Sequence, residues 1–196
     1  MPIFAAKNFK MQKDQISSTW IAVILILLAA ISRVIMYPHN FSPMIGMAIF
    51  GGAVIKDKRL AFALPLLSMF ISDVMFEVFN IAPGFWGWGQ LAGYGVFALI
   101  TVIAFNLKKV NVVNIAGYSI MSSVIFFLLS NLFFFIIDNP VYHTYTQDLN
   151  GFVNCYVSAL PFFRTSFIAD LVYSGVLFGG YYLMNKYLVQ KSVTTA

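Results

Sequence analysis

The feature that most constrains this chain is a series of apolar runs, each long enough for a membrane-spanning helix. The runs contain about 18 to 25 residues, as in helices that cross a bilayer, whereas the strands of a membrane barrel alternate over about ten residues. Of the 196 residues, 60% are hydrophobic and 10% are charged, a composition far from that of a soluble globular domain. We therefore predict an all-α integral membrane protein.

The runs predict six transmembrane helices in one domain, residues 19–190, with cytoplasmic segments at 1–18 and 191–196. A cleaved signal peptide is the alternative for the first run, because small residues stand at the cleavage spacing around Ile31. The run continues apolar past Ser32, which favours a retained helix. The amphipathic segment 151–163 is expected to be re-entrant or to lie along the surface. The predicted helices span residues 20–37, 43–55, 60–79, 90–107, 112–137 and 164–187.

The distribution of basic residues predicts the orientation of this domain. With six helices, ten of the twelve lysines and arginines fall on one side, in the terminal segments and in the loops near residues 56–59 and 108–109. Basic loops face the cytoplasm in most membrane proteins. We therefore expect both termini inside, and the net charge of +5 needs no nucleic-acid partner. Arg33, Arg164 and five of the seven acidic residues are expected toward the outer side.

The second predicted helix is short and rich in small residues. Pro38 and Pro43 bracket the polar turn before it, since proline disfavours helix at the preceding residue. Gly46, Gly51 and Gly52 leave its surface nearly smooth, which allows a neighbouring helix to approach closely in a bilayer. We therefore expect this helix in the interior of the bundle, beside the entrance to a site.

Four charged residues lie in the outer halves of the predicted helices, where an unpaired charge is costly and usually functional. They are Arg33, Asp73, Arg164 and Asp170, and we expect them to share one polar cavity. In the alternative interpretation they form two salt bridges that hold helices one, three and six together. Arg164 and Asp170 are six positions apart and do not share a helix face, so each is expected to meet a different helix.

Three polar or aromatic residues complete the predicted binding site, namely Asn40, Trp86 and Tyr94, and Asn131 is a further candidate. The aromatic loop near Trp86 suits either a ligand lid or an interfacial aromatic belt. Asn131 is equally suited to a hydrogen bond between helices. The two histidines and the single cysteine lack the spacing of a metal motif, so we predict neither a metal nor a cofactor.

Three stretches of the chain resemble a known group of transporters. RVIMYPHNFSPMIGMAIFGGA, LPLLSMFISD and GFVNCYVSALPFFRTSFIADLVYSGVLFG look like an uncharacterised bacterial six-helix family related to the substrate-binding S components of energy-coupling-factor vitamin transporters. The nearest functional relative is the solitary cobalamin-binding S component. The resemblance implies a six-helix fold with a substrate site under the outer loops.

Two departures from this pattern limit what the resemblance implies. Cobalamin-binding relatives place a cobalt-ligating cysteine in the loop after the third helix, where this chain reads GFWGWG. The Ala-xxx-Ala pattern used to dock on the shared energising module is also missing. Only Ser18 and Ala22 have that spacing in the first helix.

The leading functional hypothesis is an S-component-like protein of the bacterial cytoplasmic membrane. It would capture a small vitamin- or cofactor-like solute from the outer side for uptake. Arg33 and Arg164 would neutralise an anionic group, and Asp73 and Asp170 would orient the arginines or bind polar groups.

The alternative is a structural or assembly subunit of a larger membrane complex. Enzymatic activity is not expected, because no nucleophile, nucleotide or metallohydrolase motif is present. Candidate partners are the lipid bilayer, the small-molecule ligand, and an energising module or other membrane subunits.

Overall fold

The structure is a computed structural model that describes residues 2–35, 40–85 and 87–189, with the backbone alone for 2–17, 188 and 189. Within these residues the chain is all-helical. Six helices have more than ten residues, in agreement with the predicted number. They are α1 (Pro2–Ile35), α2 (Met44–Val54), α3 (Lys58–Val78), α4 (Trp88–Ala104), α5 (Val112–Phe133) and α7 (Leu149–Met184), with the four-residue α6 (Asn139–Tyr142) between the last two.

Two π-helical segments extend the fifth and seventh helices. Phe134–Asp138 leads from α5 into α6, and Asn185–Val189 follows α7. Four stretches are long and apolar enough to cross a membrane: Ser18–Ile35, Lys58–Val78, Val112–Tyr142 and Leu149–Tyr187. The apolar helices α2 and α4 are shorter. The chain is therefore a membrane protein by the length and composition of its helices.

The short helix α2 lies at the centre of the bundle. All its residues from Ile45 to Gly52 are buried, and it packs against α1, α3, α4, α5 and α7. Its 11 residues extend about 16 Å, roughly half the hydrocarbon thickness of a bilayer. Protein rather than lipid therefore surrounds this helix, as predicted from its small residues.

Three glycines of α2 allow three different helices to approach. A Cβ atom built on Gly46 would lie 3.0 Å from the Cβ of Tyr173 in α7. On Gly51 it would lie 2.9 Å from the Cγ of Pro65 in α3, and on Gly52 it would lie 2.6 Å from the Thr101 carbonyl oxygen in α4. Such contacts leave no room for a larger side chain. This confirms the predicted role of the small residues.

The seventh helix corrects the predicted boundaries at the end of the chain. Leu149–Met184 is one continuous helix of 36 residues, so the separate segment 151–163 and a helix beginning at Arg164 were wrong. Pro161 lies inside this helix without ending it. Asp148 caps the N-terminus of this helix, and its carboxylate accepts a hydrogen bond of 2.7 Å from the backbone N–H of Gly151. This bond, together with one from the Thr146 hydroxyl, holds the pKa of Asp148 below its ordinary value.

The first helix is also longer than predicted. It begins at Pro2 and ends at Ile35, whereas the apolar run alone suggested residues 20–37. At the other end of the chain, the Ser18 hydroxyl donates to the Asn185 side chain at 2.6 Å. This contact places the middle of α1 beside the C-terminal end of α7.

Candidate functional site

An ion pair between α1 and α3 forms one wall of the candidate site. The guanidinium of Arg33 lies 2.6 Å from Asp73 Oδ1, and Asp73 is 2% exposed. Arg33 also donates to the Ser72 hydroxyl and to the Met69 carbonyl at 3.3 Å, and it lies 4.7 Å from the ring centre of Phe76. A charge among apolar helices is costly unless it is paired and hydrogen-bonded. Both conditions hold here.

The other carboxylate oxygen of Asp73 joins α4 to this pair. Oδ2 accepts hydrogen bonds from the Tyr94 hydroxyl and from Gln90 Nε2, the latter at 3.1 Å. Tyr94 was a predicted site residue and is here a partner of Asp73. Gln90 was missed, although its position as a polar residue at the start of an apolar helix was a signal for it. Three helices thus meet at one carboxylate.

The loop between α3 and α4 folds back onto Asp73. The backbone N–H of Gly84 donates to Glu77 at 3.0 Å, and the Gly84 carbonyl accepts from Gln90 at 2.7 Å. A Cβ atom on Gly84 would overlap the carbonyl oxygen of Asp73. Glycine at this position therefore allows the loop to approach α3 closely enough to hold Gln90 in place.

A cavity of about 360 Å³ lies beside these residues. It is bounded by the end of α1, the start of α2 and the residues before it, and parts of α3, α4, α5 and α7. The structure brings five of the eight predicted site residues to its wall. These are Arg33, Asn40, Asp73, Asn131 and Asp170.

The two predicted asparagines at this cavity are held by local contacts. Asn40 has a left-handed backbone with φ of 63°, and its carbonyl accepts a hydrogen bond of 3.1 Å from Ser166 of α7. The Asn131 amide donates to the carbonyl of Phe127, one turn earlier in α5, at 2.7 Å. Asn131 makes this bond within its own helix while it lines the cavity.

Asp138 is a cavity residue that the sequence placed in an exposed loop. It lies at the end of the π-helical segment after α5, is 3% exposed, and borders the cavity. Its Oδ1 accepts from the backbone N–H of Gly89 at 3.1 Å, while Oδ2 has no hydrogen-bond partner among the described residues. A Cβ atom on Gly89 would overlap this carboxylate. Aspartate directly after a long apolar run was the only sequence signal.

Asp170 meets hydroxyl groups rather than a guanidinium. It is 3% exposed, and its Oδ2 accepts a hydrogen bond of 2.6 Å from Ser123 of α5. Further along the same interface, Ser119 donates to Ser174 at 2.7 Å. Of the two hypothesised salt bridges, the one between Arg33 and Asp73 forms. The described residues show no ion pair that includes Asp170 or Arg164.

Arg164 lies outside the cavity, so the prediction that four charged residues share one hollow is wrong for this residue. Its side chain is exposed and borders a separate depression with Phe41 and Pro161. Helix geometry explains the difference. Six residues at 3.6 per turn separate Arg164 from Asp170 by about 120° around α7, so Asp170 faces inward and Arg164 does not.

The predicted residue Trp86 lies outside the described residues. Its neighbours Phe85 and Trp88 are exposed, and the ring centre of Phe85 lies 5.9 Å from that of Phe70.

Cys155 is buried with its sulfur 3.9 Å from the Asn131 carbonyl oxygen, which is a packing position. Within the described part of the chain, no three His, Cys, Asp or Glu residues are grouped closely enough to hold a metal ion.

The sequence matches a protein-family model. The model described as "Family of unknown function (DUF6580)" matches residues 13–192, which is most of the chain. Neither a curated protein nor a solved structure matches the sequence.

Proposed function

We propose that the chain, which belongs to the family of unknown function DUF6580, is an S-component-like membrane protein that binds a small solute. The solute is vitamin-like or cofactor-like in size and enters from the outer side of the bacterial cytoplasmic membrane for uptake. The proposal includes no enzymatic step and no resident cofactor. Its site is the cavity between α1, α2, α3, α4, α5 and α7.

The cavity itself is the observation that carries this proposal. Its volume of about 360 Å³ falls in the range of small-molecule sites, about 300 to 1,000 Å³. Three buried aspartates line it, in helices that are otherwise apolar. Ionisable residues in such surroundings are costly, and they usually mark a substrate path or a binding site.

The order of the helices supports an outward-facing site. The cavity is formed near the C-terminal ends of α1, α3 and α5 and the N-terminal ends of α2 and α4. The basic residues near 56–59 and 108–109 follow the opposite ends of α2 and α4. Because basic loops favour the cytoplasmic side, the cavity belongs to the outer half of the bundle. Energy for uptake would come from a gradient, an energising module or another membrane subunit.

A glycine pair in α4 offers a direct test of the cavity as the binding site. Gly93 borders the cavity and Gly95 does not, and a Cβ atom on either glycine would meet nothing within 4 Å. A Cβ atom at position 93 therefore has room, and the larger side chain of Gly93→Leu is expected to occupy part of the cavity, with Gly95→Leu as the matched control. The full chain is purified in mild detergent and denatured, and the released small molecules are identified by mass spectrometry.

We expect one small molecule to be released from the wild type and from Gly95→Leu, and to be lost from Gly93→Leu. Equal retention by both variants would contradict the assignment of the cavity. If no small molecule is released from the wild type or from either variant, the proposed function is contradicted.

A second candidate function is that of a structural or assembly subunit, favoured by an exposed small-residue pattern on α7. Gly175 and Gly179 are four positions apart, and both line a groove of about 410 Å³ between α5 and α7. A Cβ atom on either would meet nothing within 4 Å, and such spacing allows close packing of a further transmembrane helix. Loss of a stably co-eluting membrane protein in Gly175→Leu, with the small molecule retained, would favour this function.

A further inference from the structure

The charges around the cavity do not balance. Four ionisable side chains line it: Arg33, Asp73, Asp138 and Asp170. Arg33 and Asp73 neutralise each other across 2.6 Å. No other cation among the described residues forms an ion pair with Asp138 or Asp170. When ionised, these two carboxylates give the cavity an excess of negative charge.

Asp138 carries this argument beyond a count of charges. Only 3% of Asp138 is exposed. One of its carboxylate oxygens accepts a hydrogen bond from the Gly89 N–H. The other, Oδ2, has no partner within the described structure. A buried carboxylate oxygen without a donor carries a desolvation cost that the protein does not offset. Because Oδ2 is packed against Gly89, a positively charged ligand in the adjoining cavity would offset this cost through the charge of the whole carboxylate.

Asp170 lies on another part of the cavity wall and, like Asp138, forms no ion pair among the described residues. Its carboxylate receives the Ser123 hydroxyl at 2.6 Å, which supplies a neutral donor but no charge. Arg164, the basic residue closest to it in sequence, borders a different depression. Asp170 and Asp138 thus offer carboxylates to the cavity from α7 and from the end of the α5 span.

The remaining lining favours an organic cation over a metal ion. Phe126 and Phe134 border the cavity together with Met44 and Met69, and aromatic faces attract ammonium groups. Metal ions favour several oxygen, nitrogen or sulfur ligands at one point. The described residues contain no group of three acidic, histidine or cysteine side chains that could supply them.

We propose that the cavity selects an organic cation, with an ammonium-type group held by Asp138 and Asp170 against the aromatic side chains. This inference rests on the proposed function and adds the charge of the solute to it. It reverses the expectation of an anionic ligand, because Arg33 is already paired and Arg164 lies elsewhere. Arg33 then acts as a positioning residue that holds Asp73 and the ends of α1, α3 and α4.

Three probes of nearly equal shape separate charge from size. Choline is a cation, 3,3-dimethyl-1-butanol is its uncharged analogue, and 3,3-dimethylbutanoate is an anion of similar bulk. Each is added to the purified full chain at constant ionic strength, with sodium chloride as the reference, and thermal unfolding is followed. We expect choline to raise the melting temperature at concentrations where the other two probes have no effect. An equal effect of all three, or a larger effect of the anion, would overturn the proposal.

Charge-neutral variants locate the effect. Asp138→Asn and Asp170→Asn keep the shape of the side chain, and each should weaken choline binding about tenfold, equivalent to losing about 1.4 kcal/mol of binding free energy. Asp57→Asn is the matched control, because Asp57 is exposed and caps α3 at the opposite end. Choline binding that is unchanged in both cavity variants would overturn the proposal even if one of the variants were unstable.

The two proposals fail in different ways. Loss of the natural small molecule from Gly93→Leu, with that molecule found to be neutral or anionic, would leave the proposed function intact and refute the charge assignment. Retention of the natural molecule by Gly93→Leu would refute the cavity as its site, whatever the response to choline.

Discussion

Arg33 and Asp73 join α1 to α3, and Asp73 also joins both to α4. Asp73 accepts from Arg33, Tyr94 and Gln90 at once, so one buried carboxylate connects three helices. Because few other polar groups are nearby, each member of this ion pair depends on the other for a partner, and the pair therefore holds the helices in place. Removal of one partner leaves the other charge buried and unpaired.

At this scale we expect Arg33→Met to lower the free energy of unfolding by about 3 to 5 kcal/mol. Arg164→Met is the matched control, because Arg164 is exposed and makes no ion pair among the described residues. Its effect should stay within about 0.5 kcal/mol. Denaturant titration in mixed detergent micelles measures both values.

The double variant Arg33→Met with Asp73→Asn checks the cause of that loss. With no carboxylate left to bury, part of the lost stability should return. If the double variant has a lower free energy of unfolding than Arg33→Met alone, the unpaired carboxylate is not the cause of the lost stability.

At the scale of elements, α2 determines how closely the other helices pack. It is too short to cross a bilayer. Its glycines pack closely against backbone atoms or the first side-chain atoms of α3, α4 and α7. Without a hydrophobic driving force between helices in lipid, close packing of this kind is what holds a bundle together. The residues just before α2 also supply Asn40 and Ser42 to the cavity wall, so the position of α2 affects the site.

We expect Gly52→Ala to destabilise the bundle, because the new Cβ would lie 2.6 Å from the Thr101 carbonyl oxygen and 2.7 Å from the Ala104 Cβ. Overpacking costs about 1 to 3 kcal/mol, and a backbone oxygen cannot move aside as a side chain can. The matched control is Gly95→Ala, which meets nothing within 4 Å and should be neutral or slightly stabilising. Thermal unfolding of the two variants measures the difference, and equal melting temperatures would contradict the role of α2.

At the scale of the whole molecule, the basic loops and the cavity lie at opposite ends of the helices. The loops after α2 and α4 are basic, whereas the loop after α3 and the segment between α5 and α7 contain Glu77, Asp138 and Asp148 at or near their ends. By the positive-inside rule, this asymmetry predicts that the basic loops face the cytoplasm. The orientation of the chain therefore decides whether the cavity opens toward solutes outside the cell.

Single-cysteine labelling tests this orientation. Cys155 is the only cysteine, so Cys155→Ser provides a cysteine-free background for Thr144→Cys and Lys109→Cys, both at exposed positions. In intact cells, a membrane-impermeant maleimide should modify position 144 and leave position 109 unmodified until the cells are opened. The reverse pattern would place the cavity toward the cytoplasm.

The local pattern of the sequence was enough to predict the all-helical class, the number of long helices and the interior position of α2. Apolar run length and small-residue content are properties of contiguous residues, and a bilayer leaves few alternatives to helices. The same reasoning located Arg33, Asp73 and Asp170 in the half of the bundle that holds the cavity. The same pattern did not determine the helix ends, because residues 2–17 continue α1 and Pro161 does not interrupt α7.

Only the tertiary structure decided which charged groups meet. The sequence by itself placed Arg33 and Arg164 at similar depth, but rotation around α7 turns Arg164 away, and the π-helical segment after α5 brings Asp138 beneath Gly89. These outcomes depend on contacts between residues far apart in the chain, such as the 49 positions that separate Gly89 from Asp138. Depth in the membrane follows from local hydropathy, whereas the partner of a buried charge follows from how helices rotate and pack against one another.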